Sequence, residues 1–217
     1  MNLIYYYHHH SESLSKELVE YDEILTTLLN ITDKELISEF NNRKEDGVMD
    51  LSGNTQAKID TSISKTVNII IKKRLLEIGW KQETRIFSEP YYAKEKEFRL
   101  DFAKSDISVE VAFNHSGSVS WNIIKPFLAS QFNHVKKDIQ TKLGVIVAAT
   151  KDFKDSGGFD PAIGTYDDYV AYFKPLAMLT LVPIVVIGIQ PPKSFYIKRK
   201  KDNKINRNIG SVVMINT

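Results

Sequence analysis

Two acidic residues stand where acids are costly. Asp101 ends one short strand-like segment, Phe98–Phe102, and Glu110 lies in the middle of the next, Ile107–Phe113. There Ile107, Val109, Val111 and Phe113 alternate with Ser108, Glu110 and Ala112. That alternation puts Glu110 on the face opposite the apolar residues of a strand. A carboxylate in a core-like strand is unfavourable unless it is paired or holds a metal. A turn at Ala103–Asp106 joins the two segments, so a hairpin brings both carboxylates together, where they repel. A divalent cation relieves that repulsion. Mg²⁺ suits such a place because it accepts one or two carboxylates, a backbone carbonyl, waters and a phosphate oxygen. The competing reading is a hairpin with two solvent-facing acids.

The elements around this pair follow from periodicity. Leu3–Tyr7 reads as a strand. Ser11 or Ser13 caps a helix running to about Leu29, and Thr32 with Glu35 makes a capping box for a second, Asp33–Asn41. Asn42–Thr55 is polar and reads as a loop. A longer helix is expected over Gln56–Ile78, with Gly79 as its C-terminal stop. The period then changes to that of strands at Lys81–Phe87. Trp121–Gln140 reads as a helix, Leu143–Thr150 as a strand buried on both faces, Tyr166–Leu176 as a weaker helix and Leu181–Ile189 as a second buried strand. Two further strands, Ser194–Lys198 and Ser211–Ile215, fit the tail. This order predicts an α/β fold, a three-layer α/β/α core with a mixed central sheet. It is read as a single domain over 1–217, with 1–55 an outer helical subregion and 190–217 a basic C-terminal extension.

Composition removes several classes. There are no cysteines in the 217 residues, so disulfide scaffolds, thiolate zinc sites and Cys nucleophiles are excluded. No apolar run reaches the roughly 18 residues of a membrane span. A leader with a basic start and apolar centre is not evident, so a cytoplasmic protein is expected. The net charge of +2 hides an asymmetry. Residues 1–60 carry 12 acidic and 5 basic side chains, while residues 190–217 carry 7 basic and 1 acidic. A basic tail suits a polyanionic partner, or is simply solvated.

The acid, hairpin and second acid, followed by a helix and a buried strand, resemble the PD-(D/E)XK nuclease core. More closely, the chain resembles the BglII and BstYI type II restriction endonucleases, in order and spacing over about residues 3–192. The residues that carry this are Tyr6–His8, Gly79-Trp80-Lys81, Leu100-Asp101-Phe102, Glu110-Val111-Ala112-Phe113, Ser156-Gly157 and Pro183 through Pro191. The resemblance implies a homodimeric, Mg²⁺-dependent, prokaryotic enzyme that cuts double-stranded DNA at a short palindrome and leaves 5′ overhangs. It also implies a cognate DNA methyltransferase that protects host DNA. Asp101 and Glu110 then match the metal-ligating acids, and Val111 would lend its carbonyl. Glu83, three residues after Trp80, takes the place of an asparagine that positions water in a relative. It is either an extra carboxylate of the site or a solvent-facing strand residue.

One departure stands out. The family carries Gln, Glu or Lys two residues after the second acid, and this chain has Ala112. Three readings stand open. Asn114 or His115 reaches the site instead; a water on the metal works unaided; or the alanine is inactivating. On the last, the chain is a sequence-specific DNA-binding protein on a degenerate nuclease scaffold. The loop Asn114–Ser118, with Asn114, His115, Ser116 and Ser118, is the expected base-reading element, since Asn pairs bidentately with adenine and Ser and His reach several base edges. A second loop, Asp155–Thr165, contributes Ser156. The tail, with Lys198 and Arg199 beside Phe195 and Tyr196, suits phosphate contacts, which position without specifying sequence. The Trp121–Gln140 helix corresponds to one that builds the dimer interface in this architecture.

Overall fold

The computed structural model describes residues 1–45, 47–49, 55–57, 60–131, 134–176, 181–202 and 207–215. In chain order the elements are β1 (Leu3–His8), α1 (Ser11–Ser15), α2 (Val19–Leu29), α3 (Asp33–Glu45), β2 (Gly47–Met49), β3 (Thr55–Ala57), α4 (Ser64–Glu77) and β4 (Lys81–Arg85). There follow α5 (Pro90–Ala93), β5 (Arg99–Lys104), β6 (Ile107–Val111), α6 (Val119–Ser130), β7 (Leu143–Ala149), α7 (Lys151–Ser156) and α8 (Tyr166–Leu176). The chain ends with β8 (Ile184–Ile189), β9 (Phe195–Asp202) and β10 (Arg207–Met214).

Six strands form one mixed sheet in the order β1-β8-β7-β6-β5-β4. The central β6, β7 and β8 are parallel, and β1, β5 and β4 join antiparallel. Parallel neighbours need a crossover, and α6 supplies one while α7 and α8 supply the next. The two buried strands read from sequence, β7 and β8, are buried at every position. Period-two alternation in the sheet divides the core between its faces. Ile107, Val109, Val145 and Val147 pack with α2, α3 and α4 on one side, through Leu28, Phe40 and Ile71, together with Trp80 just beyond α4. Ala112, Ile146, Ala148 and Val186 pack with Ile123 of α6 and Tyr169 and Phe173 of α8 on the other. The result is the expected three-layer α/β/α arrangement.

Local signals held at several ends. The Glu35 N–H donates to Thr32 Oγ1 at 3.2 Å, one arm of the capping box. Gly79 has φ +86, and the Gly79 and Trp80 N–H groups donate to the Leu76 and Leu75 carbonyls, closing α4 as a glycine stop should.

Other boundaries differ, each for a tertiary reason. The first helix is two helices, because Leu18 is extended between α1 and α2. The polar stretch after Asn41 is not all loop. Helix α3 continues to Glu45, and β2 pairs with β3; residues 46 and 50–54 lie outside the described residues. The helix expected from Gln56 begins only at Ser64, since Gln56 is in β3; residues 58–59 are outside the description. The helix expected to Gln140 ends at Ser130. Beyond it the Ser88 N–H donates to the Lys136 carbonyl and the Asp138 N–H to that of Ile86, so this segment is held alongside Ile86–Ser88. Residues 132–133 lie outside the described residues. The N-terminal part is more than an outer helical layer, because β1 is an edge strand of the main sheet. Helix α7, unforeseen, is capped by Thr150, whose hydroxyl accepts the Phe153 N–H at 3.3 Å.

Candidate active site

Strand register places the acids. Phe102 lies opposite Val109, which sets Asp101 across from Glu110. Gln82 lies opposite Phe102 and Thr84 opposite Leu100, which sets Glu83 across from Asp101. The flanking registers thus bring three acidic positions to one level of β4, β5 and β6, with the ladder interrupted at Glu83 itself. Glu83 is exposed and has φ +49, a left-handed conformation that side-chain-bearing residues rarely adopt. Strain of this kind concentrates at functional sites.

Asp101 is half-buried and its Oδ2 accepts the Val111 N–H at 2.7 Å. Burial raises its pKa above the ordinary aspartate value, and the charge of Glu83 adds to this; Lys125 and the Val111 N–H oppose it. Glu110 is 1% exposed. Burial, then the charge of Asp101, pushes its pKa up to about 8, against the pull of Lys125. Its Oε2 is paired with Lys125 Nζ, and its Oε1 is buried with no hydrogen-bond partner among the described residues. Ser108 Oγ and Arg99 Nε share that condition. Both lie two residues from an acid, hence on the same face of the sheet. Buried polar atoms are nearly always satisfied, so the unpartnered Glu110 Oε1 facing Asp101 marks a place where a further group would fit.

The donor chemistry fits a hard divalent cation. Every candidate donor is oxygen, and the two carboxylates repel while one has an oxygen to spare. Among the described residues no group of three His, Cys, Asp or Glu converges to hold a metal. The protein would thus supply two acids, leaving other positions to backbone, water and phosphate. The Val111 carbonyl accepts from the Phe113 N–H at 3.2 Å, which leaves a lone pair.

Lys125 was not singled out from the sequence. It lies on the sheet-facing side of α6, 9% exposed, and also donates to the Arg99 carbonyl at 3.2 Å. Its only signal was a lone lysine inside the apolar run Ile123–Ala129. Ala112 is 1% exposed, packs in the α6-side core, and its N–H donates to the Val147 carbonyl at 2.8 Å.

The two expected recognition loops meet. The Ser116 N–H donates to the Ala162 carbonyl at 2.7 Å, the Gly164 N–H to that of Asn114 at 3.1 Å, and His115 bridges Ile163. Asn114, His115 and Ser116 are exposed; Ser118 is half-buried at the start of α6. His115 Nδ1 accepts the Gly117 N–H at 3.0 Å, and Asn114 Oδ1 accepts from Asn122 Nδ2 at 3.1 Å. Asn122 also donates to the Tyr169 hydroxyl at 2.8 Å. That link from loop to α6 and α8 was missed, for lack of any short spacing to reveal it. Ser156 ends α7 and donates to the Asp152 carbonyl at 2.8 Å. In β9, Lys198 is exposed, whereas Arg199 is half-buried and donates through Nε to the Gly158 carbonyl at 2.6 Å.

The family model described as "Restriction endonuclease BglII/BglIII" matches residues 3–189. A crystal structure of restriction endonuclease BglII complexed with a DNA 16-mer is similar, with a TM-score of 0.63 and 17% identity, over 99% of this chain and 100% of that one. Free BglII gives a TM-score of 0.51 and 18% identity over the same shares. No curated protein sequence matches. At these identities the solved structures support the fold, and the family model carries the kind of activity. The chain therefore belongs to the restriction endonuclease BglII/BglIII family, and its activity is that of a type II site-specific deoxyribonuclease.

Proposed function

We propose that the protein acts as a homodimer on double-stranded DNA, hydrolysing one phosphodiester bond per strand at a short palindrome and leaving 5′ overhangs. Asp101, Glu110 and the Val111 carbonyl would hold Mg²⁺. The observation that carries this is the buried, half-satisfied Glu110 carboxylate facing Asp101. When bound, the cation would neutralise charge on the scissile phosphate and acidify a water.

The chain's own residues do the rest. The Val111 N–H fixes one Asp101 oxygen, so that carboxylate presents the other. Glu83 adds negative charge at the same level of the sheet. Asn114, His115, Ser116 and Ser118 meet base edges, with Ser156 beside the adjoining loop. Lys198 adds phosphate contact, and Arg199 mainly steadies the strand that carries it. A second copy doubles these contacts to match a palindrome, which offsets the low net charge. The setting is a prokaryotic cytoplasm with a methyltransferase guarding host sites.

The test is digestion of unmethylated phage DNA with and without Mg²⁺. Discrete fragments are expected only with the cation, and sequencing their ends reads both site and overhang. Tight binding to a palindrome without cutting, even after Ala112→Gln, would favour the DNA-binding reading instead.

A further inference from the structure

We propose that Lys125, delivered from α6, supplies the positive charge that residue 112 cannot, and that it serves the phosphate as well as Glu110. This rests on the nuclease reading above.

Three observations carry it. Ala112 has no polar atom beyond its backbone, so nothing at that position assists a water or a phosphate. The Lys125 ammonium is buried and pairs with Glu110 Oε2, the acid that precedes the alanine by two residues. A second donation to the Arg99 carbonyl aims it between β5 and β6, where both carboxylates sit. An ammonium has three N–H donors, so one is left. A buried lysine whose only role was to neutralise Glu110 would be an expensive choice, since an apolar pair of similar volume is often as stable.

The step balances simply. A water oxygen bonds to phosphorus, the P–O3′ bond breaks, one water proton passes to solvent, and the 3′ oxygen takes up a proton. The products are a 5′-phosphate and a 3′-hydroxyl. The remaining N–H of Lys125 holds the non-bridging phosphate oxygen as negative charge grows there, a place where such a donor is most useful.

The test compares the parent chain, Lys125→Met, and the swap Ala112→Lys with Lys125→Ala. The swap keeps summed side-chain volume and moves the ammonium from helix to strand. The substrate is a duplex carrying the site read from the digested phage ends. Thermal melting confirms folding, Ca²⁺ titration reports the carboxylates, and gel shift in Ca²⁺ reports DNA affinity. For Lys125→Met we expect Ca²⁺ to bind as tightly or more tightly, because a competing cation is gone. DNA affinity should stay within about threefold, while single-turnover cleavage in Mg²⁺ falls by about a hundredfold or more. The swap should recover about tenfold or more of that loss. Cleavage by Lys125→Met within about threefold of the parent overturns the assignment, as does a folded swap that recovers nothing. If Lys125→Met does not fold, the swap decides. A parent that binds DNA but never cuts it overturns the nuclease reading itself, and this inference with it.

Discussion

The Asp101 carboxylate accepts the Val111 N–H at 2.7 Å, so the first acid is anchored to the backbone immediately after the second. That bond ties the Asp101 carboxylate to the end of β6. For Asp101 the contact separates charge from structure, since a neutral side chain can still accept that N–H, whereas Glu110 is held by its pair with Lys125. Asparagine at 101 can still accept the Val111 N–H, and glutamine at 110 still fills the same space. Asp101→Asn and Glu110→Gln should therefore fold and bind DNA, while cleavage falls on the order of a thousandfold. Single-turnover rates with gel shifts in Ca²⁺ check this, and unchanged cutting by either variant would remove the metal-site assignment.

The raised pKa of Glu110 predicts an unusual pH dependence for the metal-free protein. Its folded value of about 8 exceeds the ordinary glutamate value of 4.5. Between those limits the folded state holds a proton that the unfolded chain has released. Stability should fall as pH rises through that window, opposite to the usual paired carboxylate. Denaturant unfolding in chelator at several pH values measures the slope, and Glu110→Gln should flatten it. Adding Ca²⁺ should also stabilise more at pH 8 than at pH 6, because cation and proton compete for the same oxygens. A slope that survives the substitution would place the titration elsewhere.

What the sequence discloses and what it hides divide along a physical line. Glu110, the buried strands β7 and β8, and the stop at Gly79 were legible, because period and conformational preference act over a few residues. The meeting of Lys125 with Glu110 was not, since it depends on how α6 lies over β6 rather than on any spacing. The overlong helix past Ser130 failed for the same reason. Its polar residues suit a helix surface, yet the backbone beyond Gln131 bonds to Ile86–Ser88, far away in sequence. Similarly, β1 finds its partner in β8 across nearly the whole chain.

The Asn122 bridge between Asn114 and the Tyr169 hydroxyl ties the loop proposed to read bases to the layer that carries Lys125. Asn122→Ala would leave the buried Tyr169 hydroxyl without that donor and free Asn114. We expect a loss of about 1–3 kcal/mol of stability and relaxed sequence preference, with near-cognate sites cut relative to the cognate site. Substituting Asn114 or His115, both exposed, should change preference with little effect on melting. Sequencing fragment ends from each variant distinguishes these outcomes. Unaltered selectivity in all three would mean that bases are read elsewhere.

Lys198 and Arg199 are adjacent in β9 yet point to different consequences. Strand alternation leaves Lys198 in solvent and turns Arg199 toward the Gly158 carbonyl, which its Nε reaches at 2.6 Å. If Lys198 meets a phosphate, Lys198→Ala should weaken binding to all DNA sequences alike and reduce the slope of log affinity against log salt by about 1. Melting should not change. Arg199→Ala should instead lower stability by about 1–2 kcal/mol, because the Gly158 carbonyl loses a donor where α7 packs on β9. Its effect on the salt slope should be smaller than that of Lys198→Ala. Salt titrations of affinity, paired with denaturant melts, resolve the two. Equal salt slopes for parent and Lys198→Ala would remove the tail from the DNA-binding surface, and the basic charge of residues 190–217 would then be solubilising only.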